Sequence, residues 1–395
     1  MAHYDKPCTK EQFSNPNFIT DKYPHIIIDG LEMTAENIWN YPDREELVKK
    51  LVDYFYENGF KAYKELSDQD VQKSLQKLRD KDPNEVLSES GEVKNSSPLC
   101  LDVCRHYCRD SFYSVKVNGT PSIKDVFGSK VLLEKVLKNR MGWFTSTEVI
   151  KKKDRTITGE HPYLFDISYK MLIQGCHSSM TSANVSNFRP LIAKWLISKY
   201  SPKGKSVLDL SAGWGARYMA AWSLDRVYYG IDPMTSAELR NLVDFTNSNE
   251  SLKNTSSSES ILVDGCSEDP KSYNSIPTVD YAFACPPYFK LEEYDCEMNS
   301  TDVYSNYTDW LDRYWRPTVL NMRDHLADKG KFSLIMVERW GKFNLLADMS
   351  KIISDAGFTS VDEVSYKTTR SHLSGKRETR TMSKNSEKII TFERN

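Results

Sequence analysis

Val279-Asp280-Tyr281-Ala282-Phe283-Ala284-Cys285-Pro286-Pro287-Tyr288-Phe289 starts as a strand and halts at two prolines. The run up to Ala284 is apolar enough to read as a buried β-strand. Each proline fixes φ and lacks the N–H that a sheet ladder needs. The strand therefore ends at Cys285, and a rigid turn follows with an aromatic residue just beyond it. Open α/β sheets place their ligand chemistry at such strand ends.

The residues upstream supply the rest of such a sheet. Ser206-Val207-Leu208-Asp209-Leu210 reads as a short buried strand, followed by the glycine turn Ser211-Ala212-Gly213-Trp214-Gly215 and a helix. Val227–Ile231 reads as a second strand ending at Asp232. Further strands are expected at 260–263, 331–337, 361–366 and 388–392, with helices at 190–200, 307–327 and 345–356. This alternation predicts a doubly wound α/β sheet. The last two strands flank a long polar segment without a helical pattern, which predicts an antiparallel pair.

Residues 1–150 lack that alternation and read as a mainly helical domain, the only piece large enough for target recognition. Asp43 is placed to cap an amphipathic helix through Phe55, and a second helix is expected over 122–141. Residues 88–98 and the Ser-rich 254–260 read as loops. Residues 151–183 read as a connecting segment and 184–395 as the sheet domain.

Composition narrows the class. The chain has 395 residues, 39% hydrophobic and 27% charged, with a net charge of −2. Those values are those of a globular protein of two domains, and any nucleic-acid surface must be a local patch. No apolar run reaches membrane-span length, and the N-terminus has no signal-peptide pattern. Eight cysteines at irregular spacing suggest free thiols in a reducing cytoplasm. Cys100, Cys104 and Cys108 fall at i, i+4, i+8, beside His106. This reads as one packed helix face, with a metal site as the alternative, so no metal ligand is assigned.

At the first strand's end, glycine permits close backbone approach and the turn offers free N–H groups. Asp232 is placed to accept from ribose hydroxyls. The turn is not G-x-G-x-x-G, so an adenosine cofactor without a pyrophosphate fits better than NAD. With Asp264-Gly265 after the third strand and the Pro-Pro turn after the fourth, residues 184–395 resemble class I S-adenosylmethionine-dependent methyltransferases. The Pro-Pro turn is similar to the [D/N/S]-P-P-[Y/F] motif of the amino-methyltransferases of DNA found in phages and bacteria, with cysteine in its first position.

That resemblance implies a Rossmann-like seven-stranded sheet with an antiparallel last strand, and S-adenosylmethionine as cofactor. It assigns Asp209, Ser211, Ala212, Gly213 and Gly215 to the cofactor turn, with Asp209 and Gly213 on the methionine part. Asp232 would take the ribose, and Asp264 with Gly265 the adenine. Ser186-Asn187-Phe188-Arg189-Pro190 looks like the upstream cofactor motif, so Asn187, Phe188 and Arg189 would close over the methionine carboxylate. A plain helix start with Pro190 in the first turn is the alternative.

Cys285, Pro286, Pro287 and Tyr288 are the catalytic candidates. In the family, the first side chain and the next carbonyl accept the two N–H bonds of an exocyclic amine, adenine N6 or cytosine N4. Tyr288 would stack on the base extruded from the duplex. A thiol accepts weakly, so Cys285 is expected to position the amine, with covalent catalysis or a degenerate site as alternatives. Phe289 and Tyr294 would line the base pocket, or else pack the loop on the sheet. Lys376, Arg377 and Arg380, within the basic stretch 367–388, would contact the phosphates of double-stranded DNA. RNA, a protein amide, or a decayed nucleic-acid-binding subunit remain open alternatives.

Overall fold

A computed structural model of the chain describes residues 24–61, 65–89, 93–94, 97–141, 150–152, 155–157, 166–179, 181–183, 185–203, 205–254, 259–367 and 387–395. The chain divides into two compact units, one of 1–65 with 119–184 and the other of 66–118 with 185–395. Residues 66–118, expected within an N-terminal domain ending at 150, thus belong with the sheet. Their apolar side chains explain this. Leu75, Leu78, Val103 and Cys104 are buried in one cluster with Trp195, Leu196, Tyr218 and Trp222.

The first unit is mainly helical. Asp43 caps the helix Arg44–Asn58 by accepting from the Glu45 and Glu46 N–H groups, and Leu47, Leu51 and Phe55 turn inward. The helix expected over 122–141 is two helices, Ile123–Phe127 and Lys130–Arg140. Ser129 ends the continuity, because its side chain accepts from Leu132 N and starts a new helix. Phe55, Phe127 and Tyr169 pack together, with ring centroids 5.1–5.9 Å apart.

Among the described residues, the second unit has ten strands. They are β1 (Val93–Lys94), β2 (Lys116–Val117), β3 (Ser206–Asp209), β4 (Val227–Ile231), β5 (Ile261–Val263), β6 (Val279–Ala284), β7 (Glu292–Glu293), β8 (Leu326–Val337), β9 (Phe358–Lys367) and β10 (Glu387–Arg394). Eight of them form one sheet in the order β1-β9-β10-β8-β6-β3-β4-β5. β3, β4, β5, β6 and β8 pair in parallel, and β10 runs antiparallel to both β8 and β9. This is the Rossmann-like methyltransferase arrangement, with the reversed last strand that the resemblance implied. The eighth strand is β1, a two-residue addition beside β9 in a segment expected to be loop. β7 pairs separately with β2.

The central parallel strands β3, β4 and β6 are almost wholly buried, as expected where helices cover both faces of a parallel sheet. Pro190–Tyr200 starts with proline in its first turn, as expected, and buries Leu191 through Ile197. The helical run at 307–325 contains a π-helical stretch, Trp310–Trp315, immediately before the turn holding Pro317. A proline there removes one N–H and crowds the preceding carbonyl, which a widened turn relieves. Cys100, Cys104 and Cys108 are all buried in the core, and burial pushes the Cys104 thiol up to about 12. Among the described residues, no helix is long and apolar enough to cross a membrane.

Candidate active site

Strand register brings the two decisive turns together. In the parallel pair of β6 and β3, Phe283 lies opposite Asp209. Two residues further along each chain come Cys285 and Ser211, at the same level of the sheet edge. The Cys285 N–H donates to Ser211 Oγ at 3.3 Å. In the next pairs, Asp209 lies opposite Gly230 and Ile231 opposite Val263. Asp232 and Asp264, each one residue beyond such a partner, therefore stand at that same edge. β3 connects outward to β4 while β6 connects the other way to β8, so the two turns flank the switch point of the sheet.

The glycine turn is held by charge. Asp209 is fully buried, and its Oδ2 accepts from Arg217 Nε at 2.7 Å and from the Tyr228 hydroxyl at 2.6 Å. Its Oδ1 accepts from Ser211 N at 3.1 Å. Asp209 is thus enclosed by the chain's own donors, and its role is to set the turn. Arg217 also donates to the Ser211 carbonyl and lies 5.5 Å from the Phe188 ring. Through this contact Phe188 reaches the turn. Arg189 occupies the N-cap position of the helix at 190–200.

Gly213 and Gly215 have φ of 55° and 81°, in the left-handed region. A Cβ on Gly215 would also stand 2.7 Å from Leu239 Cδ1, so only glycine fits there. Ala212 N donates to the Ile231 carbonyl at 3.0 Å, and Gly213 N donates to Asp232 Oδ2 at 2.9 Å. Asp232 Oδ1 accepts from Met234 N and Thr235 N. Asp232 therefore ties the first turn to the second and remains half-buried, while Asp264 is exposed with Gly265 next to it.

The Pro-Pro turn is more enclosed than the sequence suggests. Pro286 is buried and Pro287 half-buried. Tyr288 is 8% exposed, and its hydroxyl donates to Glu387 Oε1 at 2.7 Å. Phe289 is core: it is 2% exposed and packs among Tyr307, Trp310 and Phe343. The pocket-lining role expected of Phe289 gives way to this aromatic cluster. Tyr294 sits nearer the cofactor side, its ring 6.3 Å from Trp214 and its hydroxyl 2.7 Å from Glu292 Oε2. The loop then reaches Pro233, whose carbonyl lies 3.8 Å from Cys296 Sγ.

Burial pushes the Cys285 thiol up to about 12, against the pull of the Arg217 charge, and Glu387 and Glu292 push the same way. Burial, with Glu387 nearby, also raises the Glu292 carboxyl above the usual carboxylate range, against the hydrogen bond from Tyr294. Among the described residues, no three His, Cys, Asp or Glu side chains gather as a metal set.

Three polar atoms are buried without a proper hydrogen-bond partner: Trp214 Nε1 in the glycine turn, Thr235 Oγ1 beside Asp232, and Asn187 Nδ2 next to Phe188, near the Cys104 thiol. Buried donors left in this state suit a polar ligand. The donor set therefore fits the amino-acid part of an adenosyl amino-acid cofactor, whose carboxylate needs N–H donors.

Sequence reasoning passed over Arg217, Tyr228, Trp214, Glu292 and Glu387. Arg217 had a signal, a lone cation in the otherwise apolar run Ala216–Trp222. Glu387 had none, being about 100 residues away from Tyr288 in the chain. Lys376, Arg377 and Arg380 lie outside the described residues. Lys388, at the end of that basic stretch, is paired with Glu338 at 2.8 Å and Glu363 at 2.6 Å.

No protein-family model matches the chain, and no curated protein matches it. Solved structures resemble part of it. TrmN from Thermus thermophilus is 14% identical over 52% of this chain and 49% of its own, with a TM-score of 0.34. The match thus spans about half the length of that protein. Magnesium protoporphyrin IX methyltransferase from Synechocystis, with bound SAM, is 11% identical over 52% of this chain and 76% of its own, with a TM-score of 0.33. A methyltransferase from Pyrococcus furiosus is 15% identical over 52% and 83%, with a TM-score of 0.33. At such values the fold assignment rests on strand order and register.

Proposed function

We propose that this chain is an S-adenosylmethionine-dependent methyltransferase acting on an exocyclic amine of a DNA base, adenine N6 or cytosine N4. One observation carries the reading: the cofactor-type turn after β3 and the Pro-Pro turn after β6 are joined by the Cys285–Ser211 hydrogen bond. An amine donor and an adenosyl cofactor each find a matching turn at one sheet edge.

Asn187 Nδ2 and Trp214 Nε1 would hold the methionine carboxylate, Asp232 the ribose and Asp264 the adenine. The cofactor, when bound, supplies an electrophilic methyl group. The Pro286 carbonyl and Cys285 would orient the amine, with Tyr288 fixed beside it through Glu387. A delocalised amine is a poor nucleophile, so orientation and acceptance of its developing charge are the tasks left to the chain. The basic stretch 367–388 supports DNA as partner by its charge. The free cysteines of the described residues support a reducing cytoplasm.

Nucleoside mass spectrometry of DNA from cells expressing the protein tests this. N6-methyladenine or N4-methylcytosine, absent with an Asp209→Ala variant, is the expected result. Labelled RNA or protein beside unmodified DNA would move the acceptor to those classes. Cofactor binding without methylation of any acceptor would point to a decayed partner subunit.

A further inference from the structure

The first position of the Pro-Pro turn carries a thiol where an amine needs a strong acceptor, yet two carboxylates stand close by. Glu387, at the start of β10, accepts from the Tyr288 hydroxyl. Glu292, in β7, accepts from the Tyr294 hydroxyl through Oε2, and Oε1 takes no hydrogen bond among the described residues. Strand pairing fixes Glu292, with Val117 of β2 directly opposite it. Its partner Tyr294 packs against Trp214 of the cofactor turn. Glu292 is therefore held by backbone pairing with β2 on one side and, through Tyr294, against Trp214 of the glycine turn on the other, with its charge felt at Cys285 of the Pro-Pro turn.

We infer that Glu292 is a catalytic residue, the proton acceptor for the target amine that Cys285 cannot be. The inference rests on the methyltransferase reading above. As the amine nitrogen bonds to the methyl carbon, the carbon–sulfur bond breaks and its electron pair stays on sulfur. The nitrogen gains positive charge, and its proton passes to Glu292 Oε1. No further reactant is needed, and the carboxyl reloads by losing the proton to water.

The surroundings suit that task. A carboxyl kept above its usual range by burial and by Glu387 is a stronger base than an exposed glutamate. Besides Glu387, the titratable or charged groups around this segment are Tyr294 beside it, Cys285 with Arg217 and Asp209 behind it, Asp232 on the side of Tyr294, and Lys116 opposite Glu293 in β2. The Tyr294 hydroxyl, whose own titration is pushed up by burial and by Glu292, stays a donor to Oε2 and leaves Oε1 as the oxygen for the amine.

Glu292→Gln and Glu293→Gln are compared with the wild type in two experiments. In single-turnover methyl transfer to DNA, Glu292→Gln should lose about 10²-fold or more and lack the acidic limb of the pH profile. Glu293→Gln should stay within about threefold of wild type, below the 10²-fold expected of a lost proton acceptor. In infrared pH titration of the cofactor-free protein, the wild-type-minus-Glu292→Gln difference should show a carboxyl titrating above about 4.3, the ordinary glutamate value. An active wild type with Glu292→Gln equally fast, or a difference band at the ordinary value, would overturn the inference alone. A wild type that methylates no DNA overturns the parent reading and this inference with it.

Discussion

Arg217 Nε donates to Asp209 Oδ2 at 2.7 Å, with both side chains shut away from solvent. The pair joins the end of β3 to the first turn of the helix that follows, so the glycine turn cannot change shape without breaking it. Losing one partner leaves the other buried and unpaired, at about 3–5 kcal/mol. Asp209→Ala should therefore lower the urea midpoint sharply and abolish cofactor binding at the same time. An Asp209→Ala protein with wild-type stability would show that the pair is not needed to hold the turn.

Asn187 is the cleaner probe of the cofactor. Its Nδ2 makes no hydrogen bond beyond a weak approach to the Cys104 thiol, so Asn187→Ala should leave the melting temperature of the free protein near wild type. A hydrogen bond to a charged group contributes about 1.5–3 kcal/mol, so cofactor affinity should fall about 10- to 100-fold. Calorimetric titration with S-adenosylmethionine measures it. Unchanged affinity would remove Asn187 from the site.

Cys285 should behave as a neutral thiol. With its titration pushed up to about 12, almost none is thiolate at pH 8. Alkylation by iodoacetamide, followed by mass spectrometry, should be slow and still rising at pH 9. Cys285→Ser should keep methyl transfer within severalfold, since serine offers an oxygen of similar reach. Fast labelling at pH 7, together with an inactive serine variant, would reopen covalent chemistry.

Glu292 should also leave a mark on stability. Its folded-state titration lies above the ordinary glutamate value, so the folded protein holds the proton more tightly than the unfolded chain. Ionisation then opposes folding: the penalty is absent at pH below the ordinary value and grows as pH rises through the raised one. Glu292→Gln should match wild type in melting temperature at pH 4 and exceed it at pH 8. Equal melting temperatures across that range would count against a desolvated carboxyl.

Lys194 should carry structural weight. Its buried Nζ donates to the carbonyls of Leu78, Arg79 and Lys81, at 2.7–2.8 Å, where the helix Asp68–Asp80 ends. Lys194→Met strands these acceptors at about 1–3 kcal/mol for each one left buried. The expected result is a lower urea midpoint for the second unit. An unchanged midpoint would mean that water satisfies them.

Much of the sheet was legible because parallel strands announce themselves as short apolar runs closed by glycine or proline. The turns at Gly213 and Pro286 were found for that reason, and register did the rest. What escaped notice lacks any local signal. β1 and β7 are two residues each, too short for a periodicity, and their partners lie far off in the chain. The Asp209 side chain looked ligand-facing because a strand-end acid usually is; only the apolar helix around Arg217 hinted at an internal partner. Phe289 follows a catalytic-type turn, yet its place is set by Tyr307 and Phe343, which no spacing rule connects to it.

The interleaving of the two units governs how the protein can be made. Residues 66–118 leave the ribosome with Leu75, Leu78, Val103 and Cys104 ready for burial, but their partners begin only at residue 185. At about 5–20 residues per second, the intervening stretch keeps that apolar surface waiting for some seconds. No single proteolytic cut yields either unit whole, and a fragment started at 184 would lack the lid of its own core. The nascent chain is thus exposed to aggregation midway through synthesis, and expression should respond to chaperone supply more than folded-state stability would suggest.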